Sequence, residues 1–205
     1  MDATKNKKYT IQDAAEQGDL QAVKQFLVKQ FLAKRVDINA KDEHENTPLD
    51  RAATKGQVEV TKFLLEQGAD PNIRGLFGFT PLLGALSGQA DLSTKKEVVG
   101  ILLQHQADPN LANFDGRVPL MEAASMPLEM CKMLVEAGAD VNAQNHRSGE
   151  TALQLAALYN RIETVRYLLE QGARADVADL DGFTPLILAE KRGHKEVVEL
   201  LCQSL

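Results

Sequence analysis

The chain has 205 residues, 44% of them apolar, 25% charged and only 5% aromatic, with no Trp, the composition of an ordinary folded protein and not of a disordered or fibrous one. Its 23 Lys and Arg stand against 29 Asp and Glu, a formal charge of −6, which is the wrong sign for a protein whose main work is gripping phosphate backbones. The longest apolar stretches, such as residues 98–103, fall far short of the roughly 20 residues that cross a bilayer.

In chain order, residues 1–8 form a polar, Lys-rich tail with no apolar run behind it, unlike a secretory signal. From Tyr9 onward the chain repeats itself. Thr47-Pro48-Leu49 returns as Thr80-Pro81-Leu82, Val118-Pro119-Leu120, Thr151-Ala152-Leu153 and Thr184-Pro185-Leu186, and a weaker copy begins at Tyr9. A small residue follows each triplet at one register, Ala52, Ala85, Ala123, Ala156 and Ala189, with Ala14 in the first copy. A small side chain there lets two backbones approach. Thr before Pro predicts a helix start, because the hydroxyl caps exposed N–H groups and Pro loses little at the first helical position.

A second block closes each copy, an apolar pair and then a Gly-Ala-Asp-like turn, as in Leu64-Leu65 to Asp70, Leu102-Leu103 to Asp108, Leu134-Val135 to Asp140 and Leu168-Leu169 to Arg174. In the second copy Val58, Val60, Phe63, Leu64 and Leu65 recur at helical spacing, and Gly68 ends that helix. Each copy therefore reads as two short helices and a turn. Three departures break the period. The first copy has extra residues within 28–35 that lengthen its second helix or the following loop. The third has an insertion at 90–94, expected in the turn between its helices. The fourth is one residue short near Met126-Pro127 and one long after Asn142.

A period near 33 with a Thr-Pro-Leu-x-x-Ala-Ala block and a Gly-Ala-Asp-x-Asn block resembles the ankyrin repeat. The resemblance implies an all-α solenoid of stacked helix-turn-helix units with finger-like turns, about six repeats at 9–41, 42–74, 75–112, 113–145, 146–178 and 179–205. The family's usual His after Thr-Pro-Leu is replaced here by Asp50, Leu83, Met121, Gln154 and Ile187, which leaves the hydrogen bonding of that slot open. Such helix pairs cannot bury an apolar face alone, so they stack into one shared core.

Chemistry is sparse. No phosphate loop, zinc motif, nucleophile elbow or Cys-x-x-Cys occurs. The four histidines, His44, His105, His146 and His194, fall in different copies, whereas metal ligands must converge on one ion. Cys202 aligns with the second residue of the Leu64-Leu65 pair and reads as core, while Cys131 aligns with Thr61 and reads as partly exposed. The two lie in different copies, too far apart to bridge, and point to a reducing, cytoplasmic setting. Asp70, Asp108 and Asp140, with Asn39, Asn72, Asn110 and Asn142, recur at turn positions where such side chains bond nearby backbone. The same turn pattern, as in Leu134 to Asn142, resembles substrates of asparaginyl hydroxylases. No catalytic residue, metal site or cofactor is expected.

The resemblance implies a partner-binding surface on the concave side, formed by the finger turns and the inner helices. Idle slots there should be polar. Instead the turns hold Leu76, Phe77, Phe79, Phe114, Arg117, Leu180 and Phe183, so that four of the seven phenylalanines lie in turns. Aromatic and Arg side chains dominate interface hot spots. Phe77, Phe79, Phe114 and Phe183 are therefore expected as apolar anchors, with Leu76 beside them and Arg117, Arg147 and Tyr159 as polar or mixed contacts. Met121, Met126, Met130 and Met133 cluster in the fourth copy; three read as core at helical spacing, leaving Met126 for the surface. Residues 1–39 carry a net +2 and the rest −8, a body suited to steering a basic partner. The expected function is a monomeric, non-catalytic adaptor that binds another protein, with no nucleic acid or membrane. The alternatives are an inhibitory or regulatory subunit of an enzyme, or a bacterial effector acting in a host cytosol.

Overall fold

The computed structural model describes residues 9–32 and 37–204. The tail at 1–8 and the end of the first insertion, at 33–36, lie outside the described residues. Twelve α-helices and one 3-10 turn account for the regular structure, and no strand occurs among the described residues. The chain divides into two compact units. One holds the described residues up to Leu76 together with Thr80–Ala107; the other holds Phe77–Phe79 with the described residues from Asp108 onward.

The first unit contains three helix pairs: α1 (Ile11–Gln17) and α2 (Leu20–Leu32), α3 (Pro48–Lys55) and α4 (Val58–Glu66), α5 (Pro81–Ser87) and α6 (Leu92–Gln104). The second contains α7 (Pro119–Ala123) and α8 (Leu128–Glu136), α9 (Ala152–Leu158) and α10 (Ile162–Glu170), α11 (Pro185–Arg192) and α12 (Lys195–Cys202). Within each unit the first helices pack side by side in one row and the second helices in another. The repeated alanines line the seam: Ala52, Ala85, Ala123, Ala156 and Ala189 are at most 2% exposed. Leu64, Leu102, Leu134, Leu168 and Leu201, one from each later second helix, are fully buried.

The threonines act as expected. Thr10, Thr47 and Thr151 close capping boxes with Asp13, Asp50 and Gln154, and Thr80 and Thr184 accept from the N–H of Leu83 and Ile187. Val118 has no side-chain acceptor, and the helix it precedes has five residues, against seven or eight for the other first helices. The family's His slot is thus filled in two ways. Asp50 and Gln154 bond, and Gln154 Nε2 also donates to the Phe183 carbonyl of the next repeat. Leu83, Met121 and Ile187 fill space, the first two fully buried. After second helices a left-handed residue turns the chain, Gly68 at φ 88 and, where the third copy lacks a glycine, Gln106 at φ 65.

Four expectations change. The insertion near 90–94 does not swell a turn. Asp91 caps a new first turn through Thr94, so that α6 has thirteen residues against nine in α4. The asparagines reach forward instead of locally. Asn110 accepts from the Asp140 N–H at 2.8 Å and donates to the Gly138 carbonyl at 3.0 Å, and Asn142 repeats this with Arg174 and Gly172. The local bonds belong to the aspartates, as Asp70, Asp108 and Asp140 each accept from the Asn two residues on.

The cysteines are reversed. Cys131 is fully buried and burial pushes its thiol up to about 12, while Cys202 is exposed. The Thr61 register is a core slot, since Thr61 and Val165 are also 0% exposed. The second position of the apolar pair is marginal, Leu65 buried, Val135 and Leu169 half-buried and Cys202 open. Of the methionines, Met121 and Met130 are core, but Met133 is half-buried, as is Met126.

Two consequences are measurable. Among the described residues the buried Thr61 hydroxyl has no hydrogen-bond partner, and an orphaned buried polar group costs free energy. Thr61→Val should raise unfolding stability by about 1 kcal/mol in urea titration, and a loss of stability would show that the hydroxyl is satisfied. Burial pushes the Asp50 carboxyl up to about 6, against two bonds from Thr47 that favour its ionised form. A folded pKa raised above the unfolded one favours the folded state at low pH, and this contribution fades as pH rises through about 4 to 6. Asp50→Asn keeps an acceptor for Thr47 and cannot ionise. Relative to that variant the native chain should lose roughly 2 to 3 kcal/mol across this window, and parallel stability curves would exclude the effect.

Candidate functional site

Four of the finger turns are each held by one side chain near the base. In the first unit Asp42 Oδ1 accepts from the N–H groups of His44 and Asn46 at 2.8 and 3.0 Å. In the second, Asn113 accepts from Asp115 and Arg117, Asn145 from Arg147 and Ser148, and Asp179 from Asp181 and Phe183. Such Asx turns leave the next side chain at the tip. The tips so placed are Glu43 in the first unit and Phe114, His146 and Leu180 in the second.

The third finger carries Gly75 where the others carry Asp or Asn. It folds instead through the 3-10 turn Leu76–Gly78, with Phe77 in the left-handed region at φ 55, ψ 18. A bulky side chain is uncommon there and the conformation costs of order 1 kcal/mol or more.

In the second unit the fingers are joined through backbone. The Phe114 N–H donates to the Phe77 carbonyl at 3.0 Å, and the Leu180 N–H to the Ser148 carbonyl at 2.8 Å. The Phe114 ring lies over Gly78, where an added Cβ would stand 2.6 Å from the ring. Even so, Phe114 is 59% exposed, Phe77 65% and Leu180 75%. Leu180 exceeds every residue of the expected contact set in exposure, and its signal in the sequence is register, one tip per repeat in line with Phe114 and His146.

The other expected contacts fall in several places. Phe79 and Phe183 are half-buried, and the Lys191 ammonium covers the Phe183 ring at 3.7 Å. Arg117 is engaged by Glu122 at 2.5 Å and Arg147 by Asp115 at 3.0 Å. Tyr159 is 54% exposed at the end of α9, away from the tips, and Met126 follows α7. Leu76, 41% exposed, belongs to the first unit. Of the expected anchors, Phe77 and Phe114 are joined by a backbone hydrogen bond.

The first unit offers a charged cleft of about 460 Å³ lined by Glu16, Lys41, Asp42 and Arg51, among others. Arg51 ties Glu16 at 3.1 Å and Asp42 at 2.8 Å. Partial burial opposes ionisation of Asp42, but N–H donors and Arg51 outweigh it and hold its carboxyl below the usual range. Among the described residues no group of three or more His, Cys, Asp or Glu converges as a metal site would require, and no helix is long and apolar enough to cross a membrane.

Comparison with known proteins agrees with this architecture. The family model for ankyrin repeats in three copies matches residues 1–75, 74–145 and 129–204. The nuclear factor NF-kappa-B p105 subunit of Gallus gallus is 34% identical over 166 residues, 80% of this chain and 17% of that protein. Among solved structures, an ankyrin repeat domain from Acinetobacter baumannii superposes with TM-score 0.80 at 32% identity, covering 95% of this chain and 96% of that one. A chain in the complex of a predatory endopeptidase from Bdellovibrio bacteriovorus with an immunity protein gives TM-score 0.80 at 27% identity, covering 97% and 99%. The chain spans 20% or less of the first curated relatives it matches. With matches running from residue 1 to residue 204 and paired helices throughout, the chain belongs to the ankyrin-repeat family.

Proposed function

We propose that the chain is a non-catalytic protein-binding module that holds a partner on the finger and inner-helix surface of its second unit. Phe77 and Phe114 are the central anchors, with Phe79, Leu180 and Phe183 beside them, and Arg117, Arg147, Met126 and Tyr159 supply the margin. The observation that carries this reading is Phe77, a mostly exposed aromatic side chain on a left-handed backbone. The fold gains little from it there. Strain of that kind is kept where it positions a group for use.

A second reading, an inhibitory subunit, is favoured by the likeness to a chain from an endopeptidase complex with an immunity protein. In that case the partner is an enzyme, and its activity falls when the fingers dock.

Two measurements test the proposal. Phe77→Gly relieves the strained backbone and removes little buried area, so stability should be unchanged or rise by up to about 1 kcal/mol in urea unfolding. A loss beyond that size would make the ring a structural element. Partner capture from source cells, read by mass spectrometry, should fail for Phe77→Gly combined with Phe114→Ser while circular dichroism stays native. Undiminished capture by that folded variant would exclude the surface, and loss of a captured enzyme's activity on binding would select the inhibitory reading.

A further inference from the structure

The charge around the apolar tips of the second unit is lopsided, and the imbalance specifies what can approach them. From Asp108 onward the chain has fifteen Asp and Glu against nine Lys and Arg, a net −6 that equals the charge of the whole protein. At the fingers themselves Asp115, Glu122, Glu150, Asp179 and Asp181 face three cations. Each cation is already engaged: Arg117 by Glu122, Arg147 by Asp115, and Lys191 over the Phe183 ring. Glu150 takes only the Ser148 hydroxyl, at 2.9 Å, and Asp179 binds backbone N–H groups of its own turn. Among the described residues no cation pairs with Glu150, Asp179 or Asp181. Exposed apolar anchors therefore stand among uncompensated carboxylates.

Resting on the docking surface proposed above, we propose that Phe77, Phe114 and Leu180 receive a partner protein's segment whose large apolar side chains are flanked by Lys or Arg. The rings and the leucine are exposed enough to bury substantial area, and hot spots of this kind draw their strength from desolvation. The carboxylates then meet opposite charge at the rim, which raises the association rate and rejects wrong partners. An acidic peptide, a nucleic acid and an anionic membrane all meet repulsion at the same place.

The test is selection of a random peptide library, displayed on phage, against the full immobilised chain. Enriched peptides should carry Lys or Arg beside large apolar residues. Their binding should weaken between about 0.05 M and about 0.5 M NaCl and fall about tenfold or more with Phe114→Ser and Leu180→Ser. Because Phe114 lies on Gly78, a second variant, Glu150→Lys with Asp181→Lys, probes charge without touching an apolar contact, and it should lose the basic peptides as well. Peptides without basic flanks that still depend on Phe114 and Leu180 would overturn the basic partner and leave the docking surface standing. Binding indifferent to both variants would overturn both. A chain that elutes as a dimer, and as a monomer once Phe114→Ser is introduced, would show a second copy on the tips and overturn the proposal too.

Discussion

A pair of helices of five to thirteen residues has an apolar face on either side and too little chain to cover one of them alone, so the repeated features of the core serve the join between one pair and the next. The alanines at 52, 85, 123, 156 and 189 keep the first helices close. The asparagines bolt the turns together, since Asn110 and Asn142 each hold a donor and an acceptor in the following repeat. These bonds lie at exposed sites, where water competes and each contributes modestly. Their value is in register. They fix which carbonyl faces which amide as each pair is added, while leucines such as Leu134 and Leu168 supply the burial that drives association.

That division of labour frees the fingers. A finger is stabilised by its own Asx side chain and by backbone bonds to its neighbour, so its tip owes nothing to the core. Tip identity can then vary without cost to the fold: Glu43 in one repeat, Phe114 in another, His146 and Leu180 in others. In the second unit Phe114 and Leu180 are exposed apolar tips, while in the first the finger that carries Glu43 stands beside Arg51, which ties Glu16 to Asp42. A surface so varied over so regular a scaffold is what separates recognition from folding in one chain.

The helices, their starts and the core leucines were legible in the sequence because they depend on local chemistry repeated at one period. Thr before Pro, an apolar pair and a following Gly each act within a turn or two of chain. What escaped depends on three-dimensional register. Cys131 was aligned correctly with Thr61, yet the slot itself is core and not margin, since only the packed structure shows that Thr61 faces neighbouring helices. The extra residues near 90–94 could join a turn or a helix by sequence, and the Asp91 cap decided for the helix. The phenylalanine cluster was visible at once, but its sorting was not. Lys191 comes to cover Phe183 through the geometry of one repeat, and Phe77 stands exposed on a finger where Gly75 takes the place of the Asx anchor.

The third finger shows how a single substitution in a repeat can turn scaffold into site. Gly75 stands where the other fingers carry Asp or Asn, and an added Cβ there would meet Asn46 Oδ1 at 2.9 Å and Asp50 Oδ2 at 3.0 Å. Without an Asx acceptor at that position, the loop closes through a 3-10 turn in which Phe77 stands at φ 55. The ring gains no burial in return, being 65% exposed. Its carbonyl nonetheless receives the Phe114 N–H, so the strained residue is locked to the next aromatic tip and not free to relax. The backbones of two residues with exposed aromatic side chains are thereby joined before any partner arrives. Holding them in advance lowers the ordering cost that a flexible pair would pay on binding, and this is the physical reason to place the centre of recognition at Phe77 and Phe114.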